Sequence, residues 1–141
     1  MRDVEVIADF NTRLAHETEE LSLDPAMVRA GVEALLRDAA KGTYFVAELG
    51  DDVVGQVLIT YEWSDWRNAN FWWLQSVYVE KSARGKGIFK ALYTYVVTEA
   101  KIAGNVCGMR LYVEGHNAGA QKAYEWLGLK KSNYQIYERM F

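Results

Sequence analysis

The run Val77-Tyr78-Val79-Glu80-Lys81-Ser82-Ala83-Arg84-Gly85-Lys86-Gly87-Ile88-Phe89-Lys90-Ala91-Leu92 constrains this chain more than any other stretch. Its β-branched opening predicts a strand, its basic glycine-bearing middle a tight turn, and its end an amphipathic helix that begins at once. Such a junction leaves backbone N–H groups unpaired at the helix start, all aimed at one point. The positive end of the helix dipole adds to those donors, so the point favours an anion. Gly85 and Gly87 let the main chain approach a phosphate with no side chain in the way, and Arg84, Lys86 and Lys90 add positive charge. The run reads as a cradle for a di- or polyphosphate; the plainer alternative is a basic turn that holds nothing. Two familiar nucleotide loops do not fit. Lys90 stands where Gly-x-Gly-x-x-Gly needs its last glycine, and no Gly-Lys-Ser/Thr closes a P-loop.

The chain around this junction alternates between helical and strand signals. Val4, Ile7, Ala8, Asn11 and Leu14 recur at helical spacing behind Asp3, which predicts a helix from residue 4 to about 19. Asp24-Pro25 is an N-cap followed by proline at the first helical position, and opens a second helix to about Ala40. Thr43–Leu49 and Val53–Trp63 read as a hairpin around Gly50-Asp51-Asp52. Phe71–Glu80 is a third strand, and residues 86–103 a third helix ended by Gly104-Asn105. Met109–Glu114, Ala118–Leu127 and Tyr134–Met140 follow as strand, helix and closing strand. Two helices, a β-meander, two βα units and a last strand describe a mixed α/β fold with helices on both faces of one sheet.

Four of the five tryptophans, Trp63, Trp66, Trp72 and Trp73, lie within eleven residues. Trp72 and Trp73 are adjacent in a strand and so face opposite sides, one of them into the core. The rest suit an aromatic pocket, a cation held over rings, or a dimer surface. The single cysteine, Cys107, lies between Val106 and Gly108 and reads as a small buried residue, not a nucleophile.

The residues from Arg84 to Phe89 resemble the acetyl-CoA loop of the GNAT superfamily of N-acetyltransferases, whose pattern is Gln/Arg-x-x-Gly-x-Gly/Ala. Arg84 and Gly87 match it; Phe89 stands in place of the final small residue. Downstream, Asn117-Ala118-Gly119-Ala120-Gln121-Lys122-Ala123-Tyr124-Glu125-Trp126-Leu127-Gly128-Leu129 is similar to the family's Asn-x-x-Ala-x-x-x-Tyr-x-x-x-Gly-Phe signature, with Leu129 for phenylalanine. The resemblance spans residues 53 to 137, and the two motifs together are far more specific than either alone.

It implies a central, mostly antiparallel, twisted sheet of about six strands flanked by about four helices. The family's opening strand would be missing or vestigial here, since only three residues precede the first helix. It also implies a single acetyltransferase domain over residues 1–141 and transfer of an acetyl group from acetyl-CoA to the primary amine of a small molecule, directly within a ternary complex. By resemblance, Val77 and Val79 offer main-chain bonds to the pantetheine arm. The loop Arg84, Gly85, Lys86, Gly87, Ile88 and Phe89 holds the pyrophosphate, with N–H donors on Gly85, Gly87 and Phe89. Asn117 reaches the arm from the other side, and Tyr124 protonates the departing sulfur. Glu62, Trp63, Trp66 and Trp72 are candidates for the acceptor site. Glu62 and Glu114 are both candidate bases, with ordered water as a third route. The other reading is a non-catalytic module of the same fold that binds acyl-CoA as a sensor or assembly element.

Composition limits the partners. A net charge of −3 argues against a general nucleic-acid binder, and no apolar run approaches the length of a membrane helix. With no charged-then-apolar leader and one cysteine, a cytoplasmic location is the expectation, without metal and with a homodimer as one option.

Overall fold

The polypeptide begins with α1 (Val4–Glu19) and α2 (Pro25–Leu36), followed by three successive strands, β1 (Thr43–Leu49), β2 (Asp52–Ser64) and β3 (Ala69–Val79). A one-turn 3₁₀ helix (Lys81–Ala83) leads to α3 (Ile88–Ala103), β4 (Val106–Leu111) and α4 (Ala118–Trp126). The computed structural model describes residues 1–141. The four strands form one mixed sheet in the order β1-β2-β3-β4, with β1/β2 and β2/β3 antiparallel and β3/β4 parallel. A parallel neighbour needs a crossover, and α3 supplies it.

Strand alternation builds two cores, one on each face. Val57, Ile59 and Leu74 turn to one side and pack on Leu92 and Val96 of α3, with Ile59 and Val96 fully buried. On the other side, Val4 and Ile7 of α1 and Val32 of α2 meet Tyr44 and Val46 of β1. Phe10 of α1 packs on Tyr78 of β3, ring centroids 4.9 Å apart. At α2, the side chain of Asp24 accepts from the Ala26 N–H, with Pro25 at the first position. No helix is long and apolar enough to cross a membrane.

Five expectations need correction. The sheet has four strands, not about six. The closing strand over Tyr134–Met140 is not formed; this segment joins no sheet and is exposed. The strand expected at Met109–Glu114 lies three residues earlier, because pairing begins at once with Asn70 opposite Val106. Cys107 is exposed, its thiol near the Asn70 carbonyl at 3.4 Å. The second helix also stops at Leu36, because Asp38 turns the chain by accepting from the Ala40 N–H and pairing with Lys41.

Candidate active site

The site is built where β3 leaves β4. Their pairing runs from Asn70 to Leu74 on β3 and ends at Leu111 on β4, while β3 continues to Val79 paired with β2 alone. Beyond Leu74, the backbone edge of β3 on that side is therefore open. The departure coincides with a bulge: Gln56 faces Tyr78 and Leu58 faces Gln75, so Ser76 and Val77 together oppose Val57. Ser76 takes a left-handed φ of 47°, which is costly for a residue with a Cβ.

A buried amide holds the bulge. Gln56 has no exposed surface, and its Nε2 donates to the Ser76 carbonyl at 3.1 Å and to Asn11 Oδ1 at 2.8 Å. Asn11 in turn donates to the Tyr44 hydroxyl at 2.9 Å, so α1, β1 and β2 all brace one point of β3. Burial raises the pKa of that Tyr44 phenol. Neither Gln56 nor Ser76 stood out in the sequence, although a lone glutamine within Val53-Val54-Gly55-Gln56-Val57-Leu58-Ile59 was the available signal.

At the end of β3 the chain forms the cradle. Gly85 and Gly87 have φ of 77° and 78°, and an added Cβ at either would meet no atom of the chain. These positions thus require glycine for backbone conformation while leaving open space above them. Gly87 is the N-cap of α3 and offers no side-chain acceptor, so the first N–H groups of the helix remain available. The loop and first turn line a cavity of about 290 Å³ with Val79, Ala83, Arg84, Gly85, Gly87, Ile88, Phe89 and Lys90. Val77 packs against the α3-side core beside it.

The charges around the cradle are unequal. Arg84 donates to Glu17 of α1 at 2.8 Å and to the Val79 carbonyl at 2.9 Å, with its guanidinium over the Tyr78 ring. That bond from Arg84, with another from the Tyr78 hydroxyl, holds the Glu17 carboxyl below its ordinary pKa. Lys81 lies 3.5 Å from the same carboxylate, and Lys90 sits 4.9 Å from the ring centroid of Trp126. Lys86 is exposed at the tip of the loop.

Tyr124 reaches the same region from α4. Its ring meets Phe89 edge-on at 5.8 Å, so the bulky residue that departs from the family pattern packs between α3 and α4. Burial alone pushes the Tyr124 phenol above its usual pKa. Asn117 is the N-cap of α4, its Oδ1 accepting from the Ala120 N–H at 3.1 Å.

A second cleft, of about 240 Å³, lies towards the other end of β3 and is lined by Glu62, Trp63, Ser64, Asp65, Trp66, Arg67, Phe71, Arg110 and Tyr134. Three of the four acceptor candidates, Glu62, Trp63 and Trp66, come together here. Trp72 does not; it faces the α3 side and packs on that core. Glu62 accepts from Arg110 at 2.7 Å and from the Trp73 indole at 3.3 Å. Arg110 stacks 3.6 Å from the Phe71 ring centroid and was not singled out in the sequence, because its partner is 48 residues away. The Glu114 carboxylate accepts from the His116 N–H at 2.8 Å.

A forked parallel strand pair beside an uncapped, glycine-entered helix defines a class of site that offers free main-chain groups along a strand edge and anion-favouring N–H donors at its end. The model of the acetyltransferase (GNAT) family matches residues 8–129, and the chain belongs to that family. The crystal structure of a possible acetyltransferase from Clostridium difficile 630 is 48% identical and has a TM-score of 0.95. That alignment covers 100% of this chain and 93% of the other. A predicted acetyltransferase from Clostridium acetobutylicum, solved with acetyl-CoA, shares the fold at 15% identity and TM-score 0.76, covering 99% of this chain and 91% of that one. AAC(6')-Iy, in complex with the bisubstrate analog CoA-S-monomethyl-acetylneamine, does so at 19% identity and TM-score 0.77, with coverage of 100% and 93%. No curated protein matches the chain.

Proposed function

We propose that residues 1–141 form one acetyltransferase domain that moves an acetyl group from acetyl-CoA to a primary amine of a small molecule, by direct transfer in a ternary complex. The observation that carries this reading is the opening of β3 from β4 at Leu74, with the bulge at Ser76 immediately before the cradle. Acetyl-CoA would supply the activated acyl thioester. The open backbone edge of β3, including Val77 and Val79, suits the amides of its pantetheine arm. The donors of Gly85, Lys86, Gly87, Ile88 and Phe89 suit its pyrophosphate, with Arg84 and Lys86 adding charge.

Tyr124 is the proton donor in this reading. The amine nitrogen bonds to the acyl carbon, the carbon–sulfur bond breaks, and the phenolic proton goes to the sulfur. A phenol with a raised pKa keeps that proton at neutral pH. Glu62 and Glu114 are both engaged within the chain, so no protein base is assigned and the amine loses its proton to water. The cleft at Glu62, Trp63 and Trp66 is assigned to the acceptor, and Asn117 to the arm's far side.

The test is calorimetric titration with acetyl-CoA, with dephospho-CoA and ATP as controls, followed by an amine screen that reads thiol release. Micromolar binding that prefers acetyl-CoA, with turnover on an amine, is the expected result. Binding without turnover on any amine would favour the acyl-CoA sensor. The absence of both binding heat and a thermal shift would overturn the acetyltransferase reading and leave the cradle as a turn only.

A further inference from the structure

The helix that carries Tyr124 has little to hold it. α4 spans nine residues, and none of its side chains is fully buried. Isolated helices shorter than about 12–15 residues are marginal in water, so packing has to fix this one. Its side-chain hydrogen bonds stay local: Asn117 caps the Ala120 N–H, and Gln121 donates to the carbonyls of Glu114 and Gly115 just upstream. The Tyr124 hydroxyl has no hydrogen-bond partner in the chain.

The ring contacts that tie α4 to another element come from the first turn of α3. Phe89 meets the Tyr124 ring edge-on, at 5.8 Å and 79°. Lys90, the next residue, sits over Trp126. Trp126 is 72% exposed, so that contact faces water and is weak, whereas Phe89 is half-buried. Phe89 is backed from its own helix by Tyr93, one turn on and 6.2 Å away, which packs on the α3-side core. A row of rings thus runs from that core through Tyr93 and Phe89 to Tyr124. Edge-on pairs favour one relative orientation, so the row sets where the phenol lies. The same turn forms part of the cradle wall, to which Phe89 and Lys90 both contribute.

We propose that Phe89 is a positioning residue for Tyr124, seating the phenol on the turn that receives the pyrophosphate. The inference rests on the acid role proposed for Tyr124. The cradle's donors are main-chain N–H groups, which stay the same whichever side chain residue 89 carries. Only the ring reaches α4. The small residue of the family pattern would leave a gap beside Tyr124 here, so the departure at Phe89 supports the acid without altering the donors.

Phe89→Ala restores the family's small residue and is the test. Alanine is the better helix former, so α3 keeps its first turn and circular dichroism should be unchanged. Hydrogen exchange read by mass spectrometry reports the docking of α4 with no substrate present. Residues 118–127 should exchange on the order of tenfold faster in Phe89→Ala, with the rest of the chain unaltered. Calorimetry should give acetyl-CoA the same affinity as in the wild type. With acetyl-CoA and the amine that the screen returns, kcat should fall roughly tenfold or more. In a Tyr124→Phe background the same substitution should cost nothing further, because the ring it seats has lost its proton. Phe89→Leu, which keeps most of the volume, should recover part of both the protection and kcat. Unchanged exchange across α4 in Phe89→Ala overturns the proposal, as does a full further loss of kcat in the Tyr124→Phe background. A slow Tyr124→Phe beside a fast Phe89→Ala strikes the positioning role alone. A Tyr124→Phe as fast as the wild type removes the acid role, and this proposal with it.

Discussion

Burial raises the pKa of the Tyr124 phenol, and the sign of that shift sets its pH behaviour. If Tyr124 is the proton donor proposed above, its protonated form is the active one, and an upward shift should move the alkaline decline of activity above the ordinary phenol value of about 10. Tyr124→Phe should lower kcat on the order of 10²-fold or more and leave acetyl-CoA affinity unchanged, read by steady-state kinetics and calorimetry. A variant as fast as wild type across pH would remove the acid assignment. Gly87→Glu should abolish acetyl-CoA binding in the same titration, because a side chain at φ 78° is strained and its carboxylate opposes the phosphates. Glu17 makes the opposite pH statement. Its carboxyl pKa is lowered in the folded chain from 4.5, so its contribution to stability is present above that value and is lost as pH falls through the folded pKa. Glu17→Gln should flatten the thermal stability profile in that acid window. The cradle glycines and Tyr124 were legible in the sequence because their spacing is local. The tie from Glu17 to Arg84 was not, since 67 residues separate them.

At the scale of elements, the bulge in β3 is the feature with most leverage. Gln56→Leu would leave the Ser76 carbonyl and the Asn11 side chain without their donor, at a cost of about 1–3 kcal/mol. The expected result is a lower midpoint in denaturant together with weaker acetyl-CoA binding, since the open edge of β3 is no longer braced. Weaker stability with unaltered affinity would show that the bulge holds its shape without this amide. Helix and strand positions up to residue 103 could be read from periodicity and caps, as at Asp24-Pro25 and Gly104-Asn105. The start of β4 could not, because its place is set by the strand beside it: Gly108 lies where an added Cβ would come within 2.9 Å of the Phe71 ring. The closing strand was read from an apolar pattern over Tyr134–Met140, but pairing is not a local property, and the segment makes no backbone–backbone hydrogen bond.

The whole molecule is one sheet with a core on each face, and the core under α3 sets its stability. Ile59 is fully buried there, and Ile59→Ala should cost about 2–5 kcal/mol, measured by chemical denaturation. The mixed α/β class and the helices on both faces followed from the order of elements, whereas the number of strands depended on long-range pairing. The second cleft, proposed for the acceptor, was only partly legible. Three of its aromatic and acidic residues are close in sequence, but Arg110 and Tyr134 arrive from distant segments.

The exposed thiol of Cys107 has a consequence for anyone who follows this reaction by a thiol-reactive dye. Each chain adds one reactive equivalent of its own, which vanishes against many turnovers but dominates a single-turnover burst; Cys107→Ser removes it. The same thiol sits on β4, so its rate of alkylation is a gauge of that strand's surroundings.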